Sequence, residues 1–419
     1  MRKAWNIIVA NDTRLDKMMG DSLAIYDQAL YHQRQSYFKT KEQGCIKTYS
    51  YKELWDLMKS SDAVKSSPLD INVKQYVVRQ VCNAWYSYIK ARVAYKKNPE
   101  LFQGEPKLPN YLYKYKKTNI IQIDSSRFRK KDEINNSFNI PCSNYVISVP
   151  KQIKLKDVQQ VTIQRFYGKT KINIIYEDTQ VLNNEYDLNS AIGVDIGVNN
   201  LCAITSNDKS FSYVVNGRPL KSINQFYNKR LAEMKSQLAV CNKGQKTSKA
   251  MERLSFKRHN LIMNYLHTTS RRIIELCLCH NVNHIVIGHN DGWKQNSNMS
   301  KVNNQNFVQI PFNTLINQLL YKSQAFLDLD VSVVEESYTS KCDHLAFEEM
   351  SKHDKYLGRR VKRGLFKSSV GKTLNADING AIGILRKGNA ITDGQLQTLR
   401  DRGDVVSPVV LDLTHKHSL

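Results

Sequence analysis

The chain has 419 residues, and 62 Lys and Arg against 38 Asp and Glu give it a formal net charge of +24. This length allows two or three domains with an ample core, and the charge favours a polyanionic partner such as nucleic acid. The sequence has neither a signal peptide nor an apolar run of the roughly 18 residues that a membrane span requires, which predicts a cytoplasmic protein without a membrane partner.

The first part of the chain combines a predicted strand with a long helical segment. Residues 5–10 predict a strand, and from residue 16 to about residue 97 the pattern is helical. In the second half of that segment Val77, Val81 and Trp85 recur at a spacing of three to four residues, as on one face of a helix. Residues 98–110 contain three prolines and one glycine, which predicts a connector.

The stretch YLYKYKK, residues 111–117, alternates tyrosines with a leucine and two lysines. On a strand this alternation would put aromatic rings on one side and mostly ammonium groups on the other. Aromatic rings beside lysines suit base stacking and phosphate contact, although tyrosine-rich strands also simply pack. The candidate nucleic-acid contacts here are Tyr111, Tyr113, Lys114 and Lys116.

Further strands are predicted in series at residues 119–124, 144–150, 152–156, 159–168 and 170–178. Their alternation and short turns predict a small antiparallel barrel or curled sheet, which the strand at 5–10 would complete, with the helical segment as an insertion. Residues 180–188 mark the boundary to the next domain.

The segment GVDIGVNN, residues 193–200, is an apolar strand with a single carboxylate, Asp195, that breaks at Gly197. A lone carboxylate costs several kcal/mol to bury unpaired, so Asp195 is a candidate ligand for a cation. The alternative is a strand-end aspartate that caps the turn at Gly197.

The predicted order after residue 190 is three strands, long helices, a strand, a helix and a strand. These elements fall at 193–200, 201–207, 210–217, 220–279, 284–288, 309–326 and 331–336. A three-stranded meander followed by alternating helices and strands is the order of an α/β domain of the RNase H-like type, although periodicity alone does not establish it. The long helices carry basic residues, namely Lys229, Arg230, Lys235, Lys249, Arg253, Lys257, Arg258, Arg271 and Arg272. Of these, Arg230 is a candidate nucleic-acid contact.

Several acidic residues stand at the ends of predicted elements. Asp195 lies in the first strand, Glu335 and Glu336 end the strand VSVVEE, and Asp377 stands where a helix begins in LNADINGA. Hydrolysis of a phosphodiester without a covalent intermediate uses two divalent ions about 4 Å apart, and Mg²⁺ prefers oxygen ligands. The acidic set therefore predicts a shared site for two Mg²⁺ or Mn²⁺ ions.

Four segments closely resemble those of TnpB-type proteins, the compact RNA-guided DNA endonucleases of insertion sequences, which are related to type V CRISPR effectors. They are IGVDIGVNNLCAITSN, NGRPLKSINQFYNKR, EESYTSKCD and RGLFKSSVGKTLNADINGAIGILRK. The similarity covers most of residues 192–387 and is looser upstream, at ALYHQRQSYF and GEPKLPNYL. It implies a guide RNA, a double-stranded DNA target, Mg²⁺-dependent cutting next to a short adjacent motif, and a prokaryotic or phage origin with nucleoid association.

The resemblance also implies a domain order with α/β, all-β and helical parts. A wedge-like β-barrel would take residues 1–12 and 111–188, with a helical recognition domain inserted at 13–110. An RNase H-like RuvC nuclease domain would take residues 189–340 and 371–390, interrupted by a degenerate zinc-finger insertion at 341–370 and followed by a tail at 391–419.

The second acidic residue departs from the usual pattern of the family. Most relatives place it at the end of the fourth strand, where this chain has Gly288. In a subset the glutamate stands two residues before the tyrosine of a Tyr-Thr-Ser-Lys motif, which favours Glu336 here. Because successive strand residues face opposite sides, only one of Glu335 and Glu336 is expected to reach the metals. Asp291 is a weaker substitute.

The insertion departs as well, since it keeps one cysteine, Cys342, where many relatives have four. The eight cysteines of the chain form no C-x-x-C pair, and His344 and His353 beside Cys342 are too few to favour zinc, so we expect reduced thiols and no zinc. Basic residues of the insertion are candidate phosphate contacts or part of a solvated loop: Arg359, Arg360, Lys362, Arg363 and Lys367.

Three functions stay open at this point. The favoured one is an RNA-guided, metal-dependent DNA endonuclease. The second is an RNA-guided DNA-binding repressor that does not cut, because the displaced glutamate would weaken metal binding. The third is a transposase that joins DNA ends directly, a chemistry that RNase H-like domains also support.

Overall fold

The computed structural model describes residues 2–45, 47–114, 117–128, 134–241, 244, 246–290, 301–411 and 413. Lys116 and Asp291 lie outside these residues, and so does the side chain of Lys114. The chain divides into two units, Met1–Thr179 and Gln180–Leu419. In the described part of the chain, no helix is long and apolar enough to cross a membrane.

The helices of the first unit are α1 (Thr13–Glu42), α2 (Tyr51–Met58), α3 (Asp62–Ser66) and α4 (Ile71–Lys97). Side chains that accept backbone N–H groups start them, as Asp12 does for α1 and Ser50 for α2. The predicted stripe of α4 is confirmed, because Val77, Val81 and Trp85 are buried in the same core as α1.

The strands of the first unit are β1 (Arg2–Val9), β2 (Ile121–Asp124), β3 (Ser137–Ile140), β4 (Tyr145–Ser148), β5 (Val158–Phe166) and β6 (Lys169–Glu177). An antiparallel sheet has the order β1-β6-β5-β2, and β3 pairs with β4 as a separate hairpin. The N-terminal strand therefore joins the later strands as predicted. The pairing among the described residues gives an open sheet and not a closed barrel.

The prediction of a strand at residues 111–117 is wrong. Leu112–Lys114 forms a 3-10 turn because the carboxylate of Asp27, far away in sequence, accepts two successive backbone N–H groups. Its Oδ1 lies 2.7 Å from the nitrogen of Leu112, and its Oδ2 lies 3.0 Å from the nitrogen of Tyr113.

The prediction of a strand at residues 152–156 is also wrong, since the chain there enters a 3-10 turn at Leu155–Asp157. Asn136 organises this segment. Its Nδ2 donates to the carbonyl of Ile153 at 2.9 Å, and its Oδ1 accepts from the nitrogen of Leu155 at 3.0 Å. Other 3-10 turns lie at Pro99–Leu101, Ser125–Arg127, His344–Ala346 and Gly403–Val405.

The strands of the second unit are β7 (Asp187–Ile196), β8 (Asn200–Ser206), β9 (Ser212–Asn216), β10 (Val282–Gly288), β11 (Asp330–Val334), β12 (Arg359–Lys362), β13 (Leu365–Lys367), β14 (Thr373–Asn375) and β15 (Val409–Val410). The main sheet has the order β11-β10-β7-β8-β9-β15. The strands β7, β8 and β9 form the predicted antiparallel meander, whereas β10 runs parallel to β7 and β11 runs parallel to β10. A small antiparallel sheet has the order β12-β13-β14.

The helices of the second unit are α5 (Arg218–Cys241), α6 (Lys249–Cys279), α7 (Lys301–Val308), α8 (Phe312–Ser323), α9 (Ala376–Lys387) and α10 (Asp393–Leu399). Alternate residues of β7 serve different cores. Ile192 and Val194 join the core that holds Leu266 of α6 and Leu315 of α8, while Ala191 packs with residues of α9 on the other face of the sheet. By the two-residue period of a strand, Asp195 lies on the α9 side.

Candidate active site

The acidic residues of the second unit lie where parallel strands end. Asp195 is next to last in β7, and Glu335 and Glu336 directly follow β11. Because β7, β10 and β11 run in the same direction, their carboxyl ends lie at one edge of the sheet. Asp377 is in the first turn of α9, which packs on β7, β8 and β10.

The carboxylate of Asp195 lies directly against the first turns of α9. A Cβ atom added at Gly380 would lie only 2.6 Å from Oδ2 of Asp195, so any larger residue would displace the carboxylate. The motif LNADINGA thus supplies both an acidic residue and the small residue that brings the helix close to the sheet.

Asp195 has a pKa raised well above the usual range of an aspartate. Burial is the main cause, the negative charges of Glu336 and Asp377 add to it, and Arg360 opposes it. Glu336 and Asp377 are therefore both within electrostatic reach of Asp195, although the three carboxyl groups come from three separate elements. Such a set favours cations, because a cation would relieve the repulsion.

Asp377 has two partners in the structure. Nδ2 of Asn200 donates to Oδ2 of Asp377 at 2.8 Å, and the half-exposed Arg360 donates to its Oδ1 at 3.3 Å. Asn375 caps α9 by accepting the backbone N–H groups of Asp377 and Ile378, which fixes the backbone of the acidic residue.

Glu335 and Glu336 differ in their surroundings. Glu336 is partly buried, its backbone nitrogen donates to Oδ1 of Asn290 at 2.9 Å, and burial followed by repulsion from Glu335 raises its pKa to about 7. Glu335 is exposed and forms an ion pair with Lys387, with Nζ 3.2 Å from Oε2. Only Glu336 of the two contributes to the raised pKa of Asp195.

Gly288 explains why an acidic residue does not stand at the end of β10. A Cβ atom at this position would lie 2.5 Å from Cδ1 of Ile384 and 3.3 Å from Cβ of Glu336. A side chain at residue 288 would therefore start where Ile384 and Glu336 already are. The side chain of Glu336 therefore starts close to where an acidic side chain at the end of β10 would start.

The acidic residues do not form a cluster of metal ligands in the described part of the chain. Among the residues that the structure describes, no three His, Cys, Asp or Glu side chains converge closely enough to hold a metal ion. Asp377 contacts Arg360 and Asn200 instead. The chemistry of the set still fits Mg²⁺ or Mn²⁺, because its donors are all carboxylate oxygens.

A cleft of about 1080 Å³ lies over Asp195 and Asp377. Its cationic residues are Arg218, Lys221, Arg360 and Arg363, and its other lining residues are Gly197, Val198, Asn199, Asn200, Ala203, Val214, Asn216, Gly364 and Val410. The volume is at the upper limit of small-molecule pockets, and cations around a pair of carboxylates suit a phosphate chain that approaches an acidic centre.

Five polar residues of this cleft were not predicted from the sequence: Asn199, Asn200, Asn216, Arg218 and Lys221. Nζ of Lys221 donates to Oδ1 of Asn199 at 2.9 Å, which joins the start of α5 to the turn after β7. The available signal was the asparagine pair two residues after Gly197, and the partners of these side chains depend on tertiary contacts.

The other predicted nucleic-acid residues of this unit lie outside the cleft lining. Arg359 and Lys367 are exposed and pair across β12 and β13. Arg230 on α5 forms an ion pair with Glu233 at 2.6 Å. In the first unit, Tyr111 and Tyr113 have ring centroids 5.8 Å apart, and Tyr113 is 61% exposed.

Comparisons with known proteins place the chain beside proteins of insertion sequences and CRISPR systems. Residues 173–294 match the OrfB_IS605 family, described as "Probable transposase". Over 262 residues the chain is 27% identical to the Escherichia coli (strain K12) protein "Putative RNA-guided DNA endonuclease InsQ", and the match spans 56% of this chain and 58% of that protein. The fold is similar to that of the protein in the "Cryo-EM structure of the Cas12f1-sgRNA-target DNA complex", with a TM-score of 0.53, 13% identity, and coverage of 88% of this chain and 81% of that chain.

The family model matches 122 of the 419 residues, and the chain spans 58% of the length of InsQ, so the match describes part of the second unit and the end of the first. The predicted resemblance to the TnpB-type proteins of insertion sequences is confirmed.

Proposed function

We propose that the protein is an RNA-guided, metal-dependent DNA endonuclease with an RNase H-like, RuvC-type nuclease domain in its second unit. The observation that carries this proposal is that Asp195, near the carboxyl end of β7, and Asp377, in the first turn of α9, line one cleft together with four cationic residues. Glu336 follows the parallel strand β11 and helps to raise the pKa of Asp195. The descriptions of InsQ and of the Cas12f1 complex support guide RNA and target DNA as the partners.

Asp195, Glu336 and Asp377 are the proposed ligands of two Mg²⁺ or Mn²⁺ ions. Such ions, when bound, activate water and stabilise the leaving oxygen of a phosphodiester. Glu335 is the weaker candidate because its carboxylate already pairs with Lys387 at the surface.

The cationic residues of the cleft have a separate role in this proposal. Arg360 exchanges its contact with Asp377 for a phosphate when nucleic acid enters, which leaves Oδ1 of Asp377 open. Asn200 keeps its bond to Oδ2 and so holds the orientation of the carboxylate. Arg218, Lys221 and Arg363 contact further phosphates through charge-assisted hydrogen bonds.

The first unit is assigned to recognition, with α1 to α4 as the helical recognition domain and the sheet of β1, β6, β5 and β2 as the wedge domain. Residues 341–370 form the insertion, and residues 391–419 form the tail. Tyr113 suits base stacking because its ring is largely exposed. The target sequence is then read by base pairing with the guide, and the protein reads the shape of the heteroduplex and a short adjacent motif.

The test is a cleavage assay with the purified protein and the RNA that copurifies with it. Sequencing that RNA defines a complementary DNA, which is offered with Mg²⁺ or Mn²⁺. We expect cutting by the unmodified protein and by Glu335→Gln, and no cutting by Asp195→Ala, Asp377→Ala or Glu336→Gln, with RNA retained in every case. Cutting that survives Asp195→Ala would refute the assignment.

An RNA-guided DNA-binding protein that does not cut is the second candidate. The ion pair between Arg360 and Asp377 favours it, together with the lack of a three-ligand cluster among the described residues. This candidate predicts guided DNA binding without product in either metal. A transposase, which the family description suggests, predicts strand transfer of DNA ends without any RNA.

A further inference from the structure

The insertion at residues 341–370 folds around a buried carboxylate. Asp343 has no exposed surface, yet no Lys or Arg of the described chain forms an ion pair with it. Burying a carboxylate away from water is costly unless hydrogen bonds stabilise it. A buried carboxylate without partners would destabilise the insertion. The hydrogen-bond partners of Asp343 therefore identify the segments that this residue connects.

Three of the hydrogen bonds that the carboxylate of Asp343 accepts come from the loop that joins β13 to β14, and another comes from the turn that follows Asp343. Oδ2 of Asp343 accepts from Oγ of Ser368 at 2.9 Å, from the backbone nitrogen of Ser369 at 2.7 Å and from Oγ of Ser369 at 2.9 Å. Oδ1 accepts from the backbone nitrogen of Ala346 at 3.3 Å. One carboxylate thus joins the start of the insertion to its end.

A second carboxylate extends this connection to the strand that carries Arg360. Oε2 of Glu348 accepts from the backbone nitrogen of Asp343 at 2.6 Å, and Oε1 accepts from that of Leu357 at 2.8 Å. Leu357 is two residues before β12. Asp343 is therefore connected to the strand pair of β12 and β13 at two points: through Glu348 to Leu357 just before β12, and directly to the loop after β13.

The same segment is fixed to α9, the helix that presents Asp377. Nδ2 of Asn379 donates to the carbonyl of Cys342 at 2.9 Å, and Nη1 of Arg386 contacts Nδ1 of His344 at 2.9 Å. Burial lowers the pKa of His344 to about 4, so its ring is neutral and Nδ1 accepts from the arginine. Asp343 stands between these two anchor points.

The metal-binding groups of the insertion are engaged in these contacts. Sγ of Cys342 donates to the carbonyl of Glu349, and Nε2 of His344 donates to the carbonyl of Thr339 at 2.6 Å. No three-ligand metal cluster is present among the described residues of the insertion. A zinc ion does not fit this arrangement, and the carboxylates provide the connection that a metal would otherwise make.

We propose that Asp343 is a positioning residue that takes the place of a metal cross-link and holds β12 and β13 so that Arg360 faces Asp377 in the cleft. The consequence for nucleic acid rests on the proposed function of that cleft. The sign of the effect is distinctive. Removing an anion from a basic protein would strengthen DNA binding through simple electrostatics, whereas losing the position of Arg360 weakens it.

The first test measures binding of a fluorescent oligothymidylate to the full chain, freed of nucleic acid in high salt. We expect Asp343→Asn to weaken binding about tenfold and to lower the salt slope by about 1, as Arg360→Gln does. The double variant should bind no more weakly than Arg360→Gln within about twofold, since both changes remove the same contact. Asp354→Asn, an exposed anion of the same insertion, should leave binding unchanged or strengthen it.

Tighter or unchanged binding by Asp343→Asn, or additive losses in the double variant, would overturn the proposal. If Asp343→Asn does not fold, Ser369→Ala replaces it, because this change removes one donor and leaves the carboxylate in place. Hydrogen exchange of the β12 and β13 amides is the second test. Exchange should accelerate at least tenfold in Asp343→Asn and stay unchanged in Asp354→Asn. Equal exchange rates in Asp343→Asn and the unmodified protein would refute the positioning role. This result does not depend on DNA binding, so it holds even if Arg360→Gln shows that the cleft does not bind nucleic acid.

Discussion

Replacing Glu336 by glutamine should make the protein more stable in the absence of divalent ions, and the gain should depend on pH. The folded chain holds the pKa of Glu336 at about 7, against an ordinary value of 4.5. A carboxyl group with a raised pKa stabilises the fold when it is protonated, below about pH 4.5, and this contribution is lost as the pH rises through 7. Glutamine does not ionise, so the Glu336→Gln variant does not lose this stability as the pH rises.

The size of the effect follows from the same shift. The rise from 4.5 to about 7 spans roughly 2.5 pH units, which at about 1.4 kcal/mol per unit corresponds to about 3 kcal/mol. For a unit of this size, that free energy raises the melting temperature by up to about 10 °C near pH 8 and by almost nothing near pH 4.

The assay is thermal unfolding in buffers with a chelator, across this pH range. Glu335→Gln is the comparison variant, because Glu335 is exposed and its ion pair with Lys387 contributes less than about 1 kcal/mol. Its repulsion of Glu336 is the smaller of the two causes of the raised pKa, so this variant should gain clearly less stability than Glu336→Gln. The reasoning would be refuted by equal effects of the two substitutions, or by a gain for Glu336→Gln that is the same at both ends of the pH range.

Other predictions concern metal, packing and charge. Mg²⁺ should raise the melting temperature more near pH 8 than near pH 5, because carboxylates must lose their protons to bind it, and Asp195→Asn should abolish the difference. In urea unfolding, Gly288→Ala should cost about 1–3 kcal/mol through its clash with Ile384, whereas Gly20→Ala, with open space around it inside a helix, should be neutral or stabilising. Lys221→Ala should lower the salt slope of DNA binding by about 1, and an unchanged slope would exclude a phosphate contact.

The sequence predicted the second unit well because its signals are local. The strand around Asp195 follows from a continuous apolar run, and small residues mark the helix that begins near Asp377. The order of strands and helices after residue 190 could be read in the same way. The preference for Glu336 over Glu335 came from the resemblance to TnpB-type proteins, a subset of which have the acidic residue two positions before the tyrosine. The burial of Glu336 fits this preference.

Long-range polar contacts account for what the sequence did not predict. The alternation at residues 111–117 is typical of a strand, but Asp27 captures two backbone N–H groups there and forces a turn. The partners of Asp377 also depend on tertiary contacts, because Asn200 is 177 residues away and Arg360, 17 residues away, stands on another element, β12. No local pattern indicates which cation reaches which carboxylate.

The central claim is that Asp195, Glu336 and Asp377 together hold two divalent ions when guide and target are bound. Electron paramagnetic resonance of the protein with RNA, DNA and Mn²⁺ tests this most directly, because two ions about 4 Å apart give a coupled spectrum. We expect a coupled pair in the unmodified protein and in Glu335→Gln, and its loss in Glu336→Gln. Isolated or absent Mn²⁺ in the unmodified complex would contradict the account.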